Sequence, residues 1–102
     1  MLNQFLDWGS EKCLVLVRHG YSASVILCEV SSNTGAIINI ESDGAMARIT
    51  VWSSGDVYLE IVDILSEKTT YGKHLSLSGS FDFDVEFSDF FNLKFHTLKV
   101  QF

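Results

Sequence analysis

The stretch "IESDGAMARITVWSSGDVYLEIVDI" (Ile40–Ile64) decides the fold. Apolar and polar residues alternate on both sides of its serine–glycine turn. Successive side chains of a strand point to opposite faces. Ala47, Ile49 and Val51 therefore share one face, and Arg48, Thr50 and Trp52 the other. After the turn, Val57, Leu59 and Ile61 repeat the apolar set, and Tyr58 and Glu60 the polar one. Strands joined by so short a turn run antiparallel. Asp43-Gly44 suits a two-residue type I′ hairpin turn, whose central positions both need positive φ, and Ser54-Gly55 is a weaker version of the same signal.

The pattern continues in both directions. "SVILCEV" (Ser24–Val30) and "AIINIE" (Ala36–Glu41) precede it, separated by the turn-like "SSNTG" (Ser31–Gly35). "TYGKHLSL" (Thr70–Leu77) follows the polar "SEKT". Ile38, Ile40, Leu75 and Leu77 extend the apolar face, while Asn39, Glu41, His74 and Ser76 extend the polar one. Antiparallel sheets commonly keep one wet side. The dry side needs a cover, and the chain ends must supply it.

Leu2, Phe5, Leu6, Cys13, Leu16 and Val17 fit a helical stripe. They predict a helix from Leu2 to His19, broken near Gly9 or restarted at Glu11 behind a Ser10 cap. Gly20 stands where a helix C′ glycine belongs, and Arg18 and His19 suit the negative end of the helix dipole. "SFDFDVEFSDFF" (Ser80–Phe91) fits two periods. Its alternation reads as strand, while Phe83, Phe87 and Phe90 form a helical stripe beside Asp82, Glu86 and Asp89. Asp is poor in strands and Ser80 is a fitting N-cap, so helix is preferred. The tail "TLKVQF" (Thr97–Phe102) alternates and suits a last strand. The expected fold is α+β: a five-stranded antiparallel meander with N- and C-terminal helices packed on one face, in a single domain over residues 1–102.

Composition narrows the function. The chain has 102 residues, with 13 acidic and 7 basic side chains. Nucleic-acid binding rests on Lys and Arg neutralising phosphates, so a direct nucleic-acid partner is not expected, whereas a basic protein partner fits. The longest apolar run, Cys13–Val17, is far short of the ~20 residues a membrane span needs. The N-terminus lacks a basic leader region and a small-residue cleavage site, so no signal peptide is expected. Cys13 and Cys28 form no CxxC, which favours reduced thiols and a cytoplasmic location.

"CLVLVRHGYS" (Cys13–Ser22) contains Arg-His-Gly, which resembles the opening of the histidine phosphatases. In that family a strand delivers a phosphoryl-accepting His, which here would be His19. Phosphoryl transfer needs cationic donors around three oxygens and a proton donor for the leaving group. Arg48 is the only other Arg, His74 is followed by Leu, and His96 by Thr. The antiparallel hairpins also conflict with that family's parallel sheet, so a small histidine-phosphatase-like enzyme is the third choice. The His and Cys residues lack metal-ligand spacing, and Asp82, Asp84, Glu86 and Asp89 lack a calcium-loop turn. No cofactor is expected.

A different resemblance covers most of the chain. The "ESD" of Glu41–Asp43, the "ARITVW" strand with its Ser-Gly turn, and the Glu60–Asp63 strand are similar to the TriTu family of bacterial immunity proteins. "FLDW" (Phe5–Trp8) resembles that family's N-terminal helix, "YGKHLSLS" (Tyr71–Ser78) its fifth strand, and "FSDFF" (Phe87–Phe91) the end of its C-terminal helix. "CLVLVRHGYS" departs from it by being more apolar. The resemblance implies an antitoxin of an interbacterial system of the contact-dependent growth inhibition type. Such a protein binds and neutralises the C-terminal toxin domain of its own system. The implied toxin is a tRNA-cleaving nuclease, in a setting that can include elongation factor Tu as a third partner.

Charge agrees with this. An RNA-cleaving domain needs positive surface, and complementary charge speeds association to on the order of 10⁸ M⁻¹s⁻¹. Glu41, Arg48, Trp52, Tyr58 and Glu60 on the wet face are the expected toxin-binding residues, Asp82, Asp84, Glu86 and Asp89 a second acidic patch. The plainer alternatives are that Trp52 and Tyr58 cover each other across a strand pair and that the four acids are an ordinary solvated face. A protein-binding adaptor is the alternative function. The exposed sheet face or an unpaired strand edge also admits a homodimer.

Overall fold

A computed structural model of the chain describes residues 2–30, 33–42, 44–77 and 82–90. Helix α1 (Leu2–Arg18) is followed by strands β1 (Ser22–Val30), β2 (Asn33–Ser42), β3 (Ala45–Trp52), β4 (Asp56–Asp63) and β5 (Thr69–Ser76), then by a short helix α2 (Phe83–Glu86). The strands form one antiparallel sheet in sequence order. The expected α+β meander is the fold.

The alternation sorts the faces as expected. Ala36, Ile38, Ile40, Ala47, Ile49, Val51, Val57, Leu59 and Ile61 are all buried on the inner face. Leu75 and Leu77 pack against them from the β5 side. Asn33, Thr34 and Gly35 are not in a turn but open β2, with Thr34 opposite Glu29 and Gly35 opposite Cys28. Extended backbone suits them, since none has positive φ. The β3–β4 connection also differs from a two-residue type I′ turn. Gly55 N–H donates to Trp52 O at 2.9 Å, and Gly55 alone of Ser53, Ser54 and Gly55 has positive φ. That is the longer hairpin loop in which a glycine completes the turn. In the β2–β3 turn Gly44 has φ +83°, while Asp43 lies outside the described residues, as do Ser80 and the Thr97–Phe102 tail.

Helix α1 runs unbroken through Gly9, so neither a break nor a Ser10 cap occurs. Ser10 Oγ instead donates to Leu6 O at 2.8 Å inside the helix, satisfying itself on the preceding turn. Gly9 is there for contact. A Cβ at that position would stand 2.8 Å from Ile38 Cδ1 and 3.4 Å from Val25 Cγ2. The helix backbone therefore lies directly on β1 and β2. Phe5, Cys13 and Leu16 share that buried face, while Val17, expected in the stripe, is 54% exposed.

The end of α1 is closed by hydrogen bonds. Tyr21 N–H donates to Leu16 O at 3.0 Å and Gly20 N–H to Val17 O at 3.1 Å. Gly20 has φ +89°. This is a Schellman motif, with buried Tyr21 as the apolar residue that follows it. Arg18 and His19 sit exposed at this helix end.

Helix α2 has only one turn and depends on packing. Asp82, not Ser80, caps it by accepting from Asp84 N–H at 2.9 Å. The helical reading of Phe83, Phe87 and Phe90 holds, and all three are buried. Phe83 meets Phe5 edge-on at 5.6 Å and Trp8 at 5.4 Å, and Phe87 meets Phe5 at 6.5 Å. Phe90 reaches Tyr71 of β5 at 6.1 Å. A mostly aromatic layer thus ties both helices to the inner face, each aromatic pair adding about 0.5–1.5 kcal/mol beyond its burial.

Gly9→Leu forces a side chain into the helix–sheet contact. It is expected to lower stability by about 1–3 kcal/mol, read as an earlier urea midpoint with unchanged slope. An unchanged midpoint would show that α1 does not rest on Ile38.

Candidate functional site

The register brings the outward side chains into rows across the sheet. One row runs Ile26, Ile37, Thr50, Tyr58, His74 from β1 to β5. The next runs Ser24, Asn39, Arg48, Glu60, Gly72, and a third Ser22, Glu41, Met46, Val62, Thr69. On the other side of the first row stand Cys28, Gly35 and Trp52. Both helices pack on the opposite side, so among the described residues no helix covers this face.

Each aromatic of the face lies on a glycine of a neighbouring strand. A Cβ at Gly35 would meet Trp52 Cε3 at 2.6 Å, and one at Gly72 would meet the Tyr58 hydroxyl at 3.2 Å. Trp52 leans over β2 and Tyr58 over β5, away from each other. They do not cover one another, as the plainer reading had it. The glycines supply flat beds that a side chain would deny. Tyr58 remains 40% exposed, and Ile26 adds an apolar group on the β1 side.

One row beyond Tyr58, on the side away from Trp52, stands a polar ladder. Arg48 Nε donates to Asn39 Oδ1 at 2.8 Å, and Arg48 Nη1 lies 3.9 Å from Glu60 Oε1. Adjacent strands on both sides therefore hold the guanidinium, which stays partly open. Its ion pair is worth little by itself at that distance, but it fixes the direction of the group. At the β5 side, Asp56 Oδ1 stands 3.4 Å from His74 Nε2, and Asp56 Oδ2 accepts from Ser54 Oγ at 2.9 Å.

Of the five residues expected on this surface, Arg48 and Glu60 are direct cross-strand neighbours and Tyr58 is the next outward residue along β4. Trp52 lies two outward positions beyond Arg48 on β3. Glu41 faces Met46 across β2–β3, next to the Arg48 row. Sequence reasoning missed Ile26 and Ile37 as members of the face. The alternation of "SVILCEV" carried that signal, since it sets Ile26 beside Ser24 and Cys28.

The four acids of the C-terminal segment are all exposed, and two of them are also tied into the fold. Asp82 is the α2 cap. Asp84 accepts from Trp8 Nε1 at 3.1 Å and pairs with Lys12 Nζ at 3.0 Å. That joins α2 to α1. Partial burial raises the Asp84 pKa, but the hydrogen bonds from Lys12 and Trp8 and the Lys12 charge outweigh it, so the carboxyl sits below its ordinary range. Glu86 at the end of α2 and Asp89 beyond it are left exposed.

The Arg-His-Gly segment has a structural place. His19 is not at a strand end, as in the phosphatase opening, but at the exposed C-terminus of α1, with Nδ1 2.8 Å from Val15 O. Among the described residues, no helix is long and apolar enough to cross a membrane.

These features define an α+β scaffold: a sheet with one face built into the core and the other left open. The chain matches the family model described as Immunity protein TriTu over residues 3–93 and belongs to that family. It is thus an immunity protein, of a class that neutralises a cognate toxin. No curated protein matches the chain.

The lowered Asp84 pKa sets a pH dependence. A group depressed in the folded state stabilises above its unfolded value, near about 4 for Asp. That stability is lost as pH falls through the folded value. Asp84→Asn is therefore expected to be less stable than wild type at neutral pH, with the gap closing in strong acid. A gap independent of pH, followed by urea unfolding across the acid range, would contradict the α1–α2 ion pair.

Proposed function

We propose that the outer sheet face is the docking surface for the cognate toxin, and that this toxin is an RNA-cleaving nuclease, in keeping with the family's tRNA-cutting systems. Contact-dependent growth inhibition is the proposed setting and the cytoplasm the proposed compartment. Elongation factor Tu would join through the toxin. Inhibition would come from binding alone.

The observation that carries this reading is the composition of the open face. Arg48 is held between Asn39 and Glu60, with Tyr58 in the next row and Trp52 in the row after it, both seated on glycines. Interface energy concentrates in such aromatic and Arg anchors. Anchors already fixed by their own fold lose less freedom on binding. The net charge of −6 favours a basic partner and fast encounter. Glu41 and Glu60 put acid at the face itself. Glu86, Asp89 and the exposed Val85 of α2 would be a weaker second contact. Self-association concerns the sheet edge and is distinct from this face.

Arg48→Ala, Trp52→Ala and Tyr58→Ala are each expected to weaken toxin binding by about 2 kcal/mol, or about 30-fold in Kd. Glu86→Ala is expected to change it little. Co-expressed toxin fragment, captured on the immunity protein at low and high salt, provides the readout, with binding weaker at high salt as exposed charges are screened. Full binding and full protection by all three face variants would sink this assignment.

A further inference from the structure

The two edges of the sheet are built differently. An unpaired edge presents free N–H and C=O groups that template another strand, and proteins blunt such edges with charges and bulges. Edge strand β5 has these defences. Its pairing with β4 shifts at Ile61/Val62, and Lys73 and His74, both exposed, stand in its middle.

Edge strand β1 has no such shift, and its middle carries no charge. It pairs with β2 in one constant register from Ser22 to Val30, and from Ser22 to Cys28 it carries no charge. Ile26 on its outer side is 45% exposed and Leu27 on its inner side 50%. Helix α1 adds to this edge. Trp8 and Lys12 lie on the flank of α1 turned toward α2. By helical spacing Val17 lies on the opposite flank, toward β1. Val17 is 54% exposed, and Leu14, one turn before it, 61%.

We propose that β1 is a self-association edge: two copies pair β1 to β1, antiparallel, about a two-fold axis through Ile26. The occupant is a second copy because the strand is complementary to itself in this arrangement. Centring on Ile26 brings the whole strand into pairing. Leu27 then falls opposite Val25 of the second copy, and Cys28 opposite Ser24. Glu29, the strand's one charged residue, falls opposite Ala23, toward the end where the second copy's α1 finishes in Arg18 and His19. Parallel pairing in register would set Glu29 against Glu29, which is unfavourable. The antiparallel contact is isologous and closes at two copies. Both α1 helices lie on the same side, with Leu14 and Val17 facing the join. Both outer faces stay open side by side. This inference goes beyond the toxin reading and does not depend on it.

Sedimentation of the purified chain from micromolar to submillimolar concentration tests the proposal. Wild type is expected to dimerise. Ile26→Lys is expected to remain monomeric with an unchanged circular dichroism spectrum, and Leu27→Lys to behave alike. In a Cys28→Ser background, Ile26→Cys is expected to give an oxidised, covalently joined dimer, because the two thiols meet on the axis. Ile37→Cys, one strand inward, is expected not to. A wild type that stays monomeric across the range overturns the proposal. So does a dimer that survives both lysine variants, or one joined through position 37 and not 26. A monomeric wild type whose toxin capture is lost in Leu27→Lys, on the inner side of the strand and off the outer face, overturns it in favour of a toxin strand on this edge.

Discussion

The fold depends on the backbone of α1 lying against Ile38 and Val25 at Gly9. A helix that close can cover β1 and β2 while the aromatic side chains of its other turn reach α2. Phe5 and Trp8 then meet Phe83 and Phe87, and the inner face is buried from β2 to β4. With all the described helical cover spent on one side, the other side of the meander is left to solvent. The open face is thus a consequence of where the helices go, and that is set by a glycine.

The open face is not merely left over. Gly35 and Gly72 are weak strand residues, yet each lies under an aromatic ring or hydroxyl of the next strand. The local loss of strand propensity is offset by a fixed aromatic. Arg48 is likewise oriented by two neighbours before any partner arrives. A surface whose large side chains are already seated on their neighbours is suited to recognition, and membership of the TriTu immunity family gives the protein a partner class.

Much of this was legible in the chain. The period-two pattern from Ile38 to Leu77 assigns inner and outer residues correctly, because one wrong step of register would turn every apolar side chain to water. The stripe of Phe83, Phe87 and Phe90 correctly outweighs the Phe–acid alternation around it. What misled was local. Gly9 reads as a helix breaker because its reason, Ile38, lies far off in sequence. "SSNTG" reads as a turn, although Thr34 and Gly35 are strand residues. Asp84 reads as a surface acid because Trp8 and Lys12, which hold it, belong to the other end of the chain. Ile26 and Ile37 were passed over on the open face because β-branched residues in strands first suggest a core. The site residues were readable as a face; their glycine beds were not, since those depend on cross-strand register.

The central claim is that the toxin docks on the outer face of the sheet, and thiol labelling of the complex tests it most directly. In a Cys28→Ser background, a cysteine replacing Thr50 at the centre of that face should be shielded from a maleimide probe when the toxin is bound. A cysteine replacing Glu86 on α2, at the weaker second contact, should be protected far less. Unchanged labelling at position 50 together with protection at position 86 would contradict the account.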